Sequence, residues 1–345
     1  MALAHRMNFV TGINSRRDFR RWIAPTLGYL VSVACLVWVY RGFDWRQELE
    51  RLSTLDWHWL GVAAIADISV YISQGWRWRM LLKPLGDVSL VRSVQAIYVG
   101  LFTNEVLPLR GGELVRSYLQ AHWSAIPFSV VLSSAVVERM FDGVWLVLFT
   151  IVATAIVPLP RYLVEGTRVL TGLLAGLMFL LAVVIFQKGH AHAAVAKSRW
   201  AEKLWHVVNA LHAMGRSPSF YLAFLASFAY VGLQLIPIHA LMIGYGLDLN
   251  WSATLVTFVI LRLGTLLPQA PGNVGSFQFF AVVALRLFGV EKSEATGFAT
   301  LLFFVVTVPL WLAGFVATLA SGIGFGDIQR RAVETHRQSG KPAED

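Results

Sequence analysis

Charge is scarce in this chain. Its 345 residues include 29 Lys and Arg and 20 Asp and Glu, so 14% are charged, against roughly 25% in soluble domains. With 56% hydrophobic residues, that scarcity excludes an ordinary water-soluble domain. Cysteine is nearly absent as well. Cys35 is the single one, which excludes an intrachain disulfide and any Cys-rich metal site. Neither His-Glu-x-x-His nor Gly-x-Ser-x-Gly occurs, so the common hydrolytic signatures are missing. The formal charge of +9 is gathered at the ends of apolar runs and forms no continuous basic face, so nucleic acid is not an expected partner. His190, His192, His206 and His212 fall in one loop without a carboxylate pattern. No metal and no cofactor is expected.

What the chain does have is apolar blocks of a length to cross hydrocarbon, which takes about 20 helical residues. Eight such blocks leave no polar run for a separate soluble catalytic domain. The expected fold is an all-α polytopic membrane protein with about six full crossings and two broken or re-entrant helical hairpins. Residues 1–21 form a basic N-terminal segment, 22–323 a single transmembrane domain and 324–345 a polar tail. Crossings are read at Trp22–Tyr40, Trp57–Leu82, Phe128–Val157, Tyr162–Phe186, Phe220–Tyr245 and Ala295–Ile323. Trp45 to Leu55 reads as an interfacial helix, and Trp200 to Met214 as a basic helix on the membrane surface. Trp76-Arg77-Trp78-Arg79 reads as a headgroup-level marker, and Gly172 with Gly176 as a site of close helix packing.

The two remaining blocks are interrupted. Ser89–Gln120 contains Pro108, Gly111 and Gly112; Ser252–Phe288 contains Pro268, Pro271, Gly272 and Gly275. Pro and Gly at those places break a helix. Freed backbone groups at membrane depth are tolerated only within protein or along a wet cavity. Reading both blocks as hairpins puts both termini in the cytoplasm of a cell inner membrane. The stretches left inside then carry 18 Lys and Arg against 6 outside, as the positive-inside rule requires. A shift of 160 positions places Leu101 on Leu261, Leu107 on Leu267, Pro108 on Pro268, Gly112 on Gly272 and Gln74 on Gln234. That register suggests an inverted repeat whose broken helices form a substrate site near the midplane.

Ten charges lie within or beside apolar blocks: Asp67, Glu105, Glu113, Glu138, Asp142, Arg110, Arg116, Arg139, Arg262 and Arg286. At a helix centre each costs roughly 2.5–3.5 kcal/mol unless paired or wet. Glu138 and Asp142 share a helix face at i, i+4, with Arg139 beside Asp142 at i, i+3. They would offer partners to Arg110 and Arg116. Such a groove can hold a zwitterionic or anionic headgroup, because guanidinium groups suit phosphate, or it can be a set of structural ion pairs. Glu105, Arg110, Glu113, Arg116, Glu138, Arg139, Asp142, Arg262 and Gln278 are the candidate substrate residues. Asp67 and Arg286 read as structural or snorkelling.

Arg77-Trp78-Arg79-Met80-Leu81-Leu82, Leu107-Pro108-Leu109-Arg110-Gly111-Gly112-Glu113 with Arg116, Glu138-Arg139 with Asp142, and Pro271-Gly272-Asn273-Val274-Gly275 together resemble the membrane region of the lysylphosphatidylglycerol synthetase and flippase family. The resemblance spans about Ala24 to Gly324. In that family a Glu usually stands where this chain has Gln278, and Gln cannot titrate. Synthetases of the family carry a soluble aminoacyl-transfer domain after the membrane region, and this chain carries none, so the resemblance does not imply aminoacyl-lipid synthesis. It implies a membrane protein that binds a phospholipid or isoprenoid-derived lipid and helps move it between leaflets. The alternatives are a membrane subunit presenting lipid to a separate aminoacyl or glycosyl transferase, and a scaffold that transports nothing.

Overall fold

The computed structural model describes residues 15–106, 111–158, 161–186, 201–265 and 270–322. Among them helix is the only regular structure. α1 (Ser15–Tyr40) starts inside the basic segment and stops before Gly42, whose φ of 77° no side chain favours. Asp44 then caps α2 (Trp45–Leu52), its carboxylate accepting from the N–H of Arg46 at 3.0 Å and of Gln47 at 3.2 Å. The two helices meet at 80°.

α3 (Trp57–Leu82) is followed by α4 (Leu90–Val106) and α5 (Gly112–Ser124), and then by α6 (Phe128–Ile156) and α7 (Arg161–Phe186). After the gap come α8 (Ala201–Gly215), α9 (Pro218–Leu233) and α10 (Leu235–Tyr245). The chain continues through α11 (Trp251–Gly264), a 3-10 turn at Pro271–Asn273, α12 (Ser276–Arg286) and α13 (Lys292–Ala320). By length and composition four stretches can cross a membrane: Phe128–Ile156, Val164–Val183, Pro218–Tyr245 and Lys292–Ala320. α9 and α10 form one of these, bent at Gln234, where Pro237 three residues on withholds a backbone donor. α3 has the length of a crossing at 26 residues but carries Asp67, Arg77 and Arg79, so it needs polar company.

Both interrupted blocks are broken helices. α5 folds back on α4, and α12 packs on α11. Pro108 and Arg110 in the first break, and Pro268 in the second, lie outside the described residues. Two apolar cores flank α3. One is built on Trp78, Leu82, Ala96, Val99, Leu119 and Val131, the other on Leu241, Val256, Ile260, Val282, Leu285, Phe298 and Leu302. α3 contributes to both, so it positions the two broken segments against each other. α2 is fastened to the start of α13, Arg51 donating to Glu294 at 2.6 Å, and to the end of α10, the Tyr245 hydroxyl donating to Glu48 at 2.7 Å.

Two sequence expectations change. Gly172 and Gly176 have no described atom within 4 Å of where a Cβ would stand; α7 sits on the flank, and its glycines face away from α6. Arg77, expected at the headgroup level, has a fully buried side chain. Of the two arginines in Trp76-Arg77-Trp78-Arg79, it is the one on the inward face of α3, with Gln74, Trp78 and Leu81.

Candidate functional site

The intramembrane charges fall into two groups of different character. The first is a network of three arginines and three carboxylates. Glu138, on the inward face of α6, lies between two guanidinium groups: Oε1 accepts from Arg77 Nη2 of α3 at 2.7 Å, and Oε2 is 2.9 Å from Arg116 Nη1 of α5. None of the Glu138 side chain is exposed. Arg77 Nη1 also donates to Asp142 and, at 2.9 Å, to the Ser227 hydroxyl of α9. Arg116 holds Glu113 at 2.5 Å, and Arg139 reaches Glu113 and, at 3.5 Å, Asp142. Aromatic faces support the cations: Tyr230 is 4.3 Å from the Arg77 guanidinium, and Trp78 is 4.7 Å from that of Arg116.

Three positive and three negative side chains of α3, α5 and α6 thus pair with one another, with Ser227 of α9 as a further acceptor, while Arg77 Nε and Asp142 Oδ2 are buried without a hydrogen bond. The stripe read from the sequence, Glu138 and Asp142 with Arg139, meets Arg116 as its spacing implied. Arg77 completes it and was the member missed. Its signal was present in the 3-4 spacing of Asp67, Val70, Gln74, Arg77 and Leu81, all buried on one face of α3.

The network depends on a tight crossing of α4 and α5. A Cβ on Gly112 would run into the carbonyl oxygen of Gly100 and stand 2.6 Å from Asn104 Oδ1, which itself accepts from the Gly112 N–H at 2.7 Å. Gly112→Ala is therefore expected to push α5 off α4 and lower stability by about 1–3 kcal/mol. Gly111→Ala, which meets nothing within 4 Å, is the matched control. Thermal midpoints in detergent separate the two variants; equal midpoints would contradict the close approach.

The second group surrounds a cavity of about 180 Å³ between α3, α4, α10, α11, α12 and α13 and the second break. Its polar wall consists of Asp67, Tyr71, Glu105, Gln234, Arg262 and Asn273; Phe258, Leu302, Phe303 and Val306 supply apolar wall. Both broken segments reach it. The Glu105 carboxylate, one residue before the end of α4, lies against Gly272, where a Cβ would stand 2.8 Å from Oε2. Gly272 has a φ of 71°, so glycine answers both needs. Asp67 is 7% exposed, and its Oδ2 has no hydrogen-bond partner. Arg262 rests 5.9 Å from the Phe258 ring, and among the described residues neither Asp67 nor Arg262 forms an ion pair.

The candidate residues therefore divide. Glu113, Arg116, Glu138, Arg139 and Asp142 close on themselves, whereas Glu105 and Arg262 line open space together with Asp67. Gln278 belongs to neither group: its side-chain oxygen accepts from the Gly275 N–H at 2.8 Å and starts α12. Gly275, at a φ of 88°, lies against the Ser32 carbonyl of α1. Arg286 is exposed at the last turn of α12, as snorkelling would have it. Among the described residues no cluster could hold a metal ion.

A family model described as the lysylphosphatidylglycerol synthase TM region matches residues 26–314. A UPF0104 membrane protein of Methanothermobacter thermautotrophicus is 22% identical over 79% of this chain and 85% of its own length. A UPF0104 membrane protein of Methanocaldococcus jannaschii is 28% identical over 36% of this chain and 38% of its own length. The chain is also similar over 37% of its length, at 27% identity, to Glycosyltransferase AglD of Haloferax volcanii, of which the match spans 20%. No solved structure matches.

Proposed function

The chain belongs to the family of the lysylphosphatidylglycerol synthase transmembrane region, and from that premise we propose that it binds a lipid headgroup in the Asp67–Arg262 cavity and helps carry it between leaflets. One observation carries the reading. The cavity is walled by both broken helices, and two charges of opposite sign on its wall, the buried Asp67 and the partly buried Arg262, form no ion pair among the described residues. Charges so placed are costly in a membrane unless they face water or a polar ligand, and broken helices meeting at such a cavity are how transporters build a substrate site.

The 160-residue register supports this architecture. It lays α3 on α9 and α10, α4 on α11, α5 on α12 and α6 on α13, each within a few residues. It also relates the two groups of charges, since Arg77, Glu113 and Asp142 fall on Pro237, Asn273 and Leu302, which line the cavity. The other three members, Arg116, Glu138 and Arg139, fall on Ser276, Phe298 and Ala299, which do not line it. In this proposal residues 22–323 act as one transmembrane domain with inverted halves, both termini lie in the cytoplasm of a cell inner membrane, and the cargo is a phospholipid or an isoprenoid-derived lipid. Within the site, Glu105 and Arg262 touch the cargo, and Glu113, Arg116, Glu138, Arg139 and Asp142 hold the first half in shape.

Reconstitution into liposomes tests the reading. Quenching of fluorescent lipids in the outer leaflet is expected to reveal faster leaflet exchange with the protein than without it; equal rates across phospholipid and polyprenyl-phosphate classes would overturn it. The similarity to a glycosyltransferase favours a second reading, in which the chain presents lipid to a separate transferase. A transferase that copurifies with the protein and needs it for turnover would support that version.

A further inference from the structure

The charges in the cavity constrain the headgroup beyond its being polar. Asp67 projects from α3 and Arg262 from α11 onto the same 180 Å³ space. They are not within 4 Å of each other, and neither has another ion-pair partner among the described residues. Asp67 is 93% removed from solvent with Oδ2 unpartnered. A carboxylate so enclosed costs several kcal/mol to keep charged without a counter-ion. A proton would neutralise it but leave the volume empty and Arg262 unmatched. One ligand class answers all three features: a small zwitterion with a primary ammonium at one end and a phosphate at the other.

Resting on the headgroup site argued above, we propose that the cavity selects a zwitterionic head, with its ammonium against Asp67 and its phosphate against Arg262. A primary ammonium can donate three hydrogen bonds, which suits Asp67 Oδ2 and the Gln234 side chain on the same wall. A quaternary ammonium has no hydrogen to donate, and a glycerol head brings no positive charge. Tyr71, one turn from Asp67 on α3 and also lining the cavity, adds a further polar contact. Arg262 matches phosphate by its two-pronged geometry.

Native mass spectrometry of the detergent-purified full chain, offered phosphatidylethanolamine, phosphatidylcholine and phosphatidylglycerol of identical acyl chains, reads the selection as bound-lipid mass. Phosphatidylethanolamine retention about tenfold above the other two, equivalent to roughly 1.4 kcal/mol, is the expected result. Asp67→Asn should bring the ratio toward one, and Asp67→Glu should restore it; a normal elution profile and thermal midpoint show that each variant is folded. Equal retention of the three lipids by the native chain, or an undiminished preference in Asp67→Asn, would overturn the proposal while leaving a headgroup site standing. Retention of no lipid, with no binding of soluble phosphoethanolamine either, would overturn both readings. Soluble phosphoethanolamine in excess should displace the bound lipid. If it bound where no lipid did, the zwitterion site would stand with its source in solution.

Discussion

Glu138→Ala is expected to cost about 3–5 kcal/mol, the range for removing one partner of a buried ion pair. The value is large because the loss is double. Arg77 and Arg116 both point at the Glu138 carboxylate, with 0% and 3% of their side chains exposed. Without it, two guanidinium groups remain in low dielectric with a net excess of positive charge. The variant should accumulate poorly and melt well below the native chain in a detergent thermal scan. The cause can be separated from simple cavity formation. Adding Arg116→Met to Glu138→Ala removes one of the stranded charges with little change of volume, so the double variant should recover part of the lost midpoint. A double variant worse than Glu138→Ala by the full cost of a second core substitution would show that charge is not the issue.

Arg262→Gln is expected to behave in the opposite way. Arg262 has no ion pair among the described residues, and although it sits in the last turn of α11 a cation at membrane depth is costly, up to roughly 2.5–3.5 kcal/mol where it falls at a helix centre. Its removal should leave the thermal midpoint unchanged or raise it. Leaflet exchange in liposomes should nevertheless fall at least about tenfold, a loss of roughly 1.4 kcal/mol or more of interaction with the moving head. A stable and inactive variant is the signature of a residue kept for its ligand. A lower midpoint with native exchange would instead make Arg262 structural and move the site elsewhere.

How far the sequence could be read is visible in these residues. The two breaks were legible because Pro and Gly interrupt apolar runs otherwise long enough to span, and the network was legible in part because Glu138, Arg139 and Asp142 sit on one helix at facing intervals. Arg77 was hidden by its neighbours. Trp76 and Arg79 belong to an interfacial pattern, and only the buried 3-4 stripe from Asp67 to Leu81 shows that Arg77 turns the other way. Asp67 reads as structural or snorkelling in the sequence because its surroundings come from α4, α11, the second break and α13, as far as 243 positions away at Leu310. Spacing along one helix says which side chains share a face. It does not say whether the opposite face of the cleft is filled, and that difference separates the network from the cavity.

The neutrality of the network has an electrical consequence. A transmembrane potential does about 2.3 kcal/mol of work on each elementary charge moved through 100 mV. Arg77, Arg116 and Arg139 against Glu113, Glu138 and Asp142 sum to zero, so the field exerts no net force on that cluster when the helices carrying it shift together. The charges on which the field can act include those lining the cavity, Asp67, Glu105 and Arg262, and whatever occupies the space between them. A zwitterionic head crosses without net electrical work, whereas an anionic head is driven by the voltage in one direction and opposed in the other.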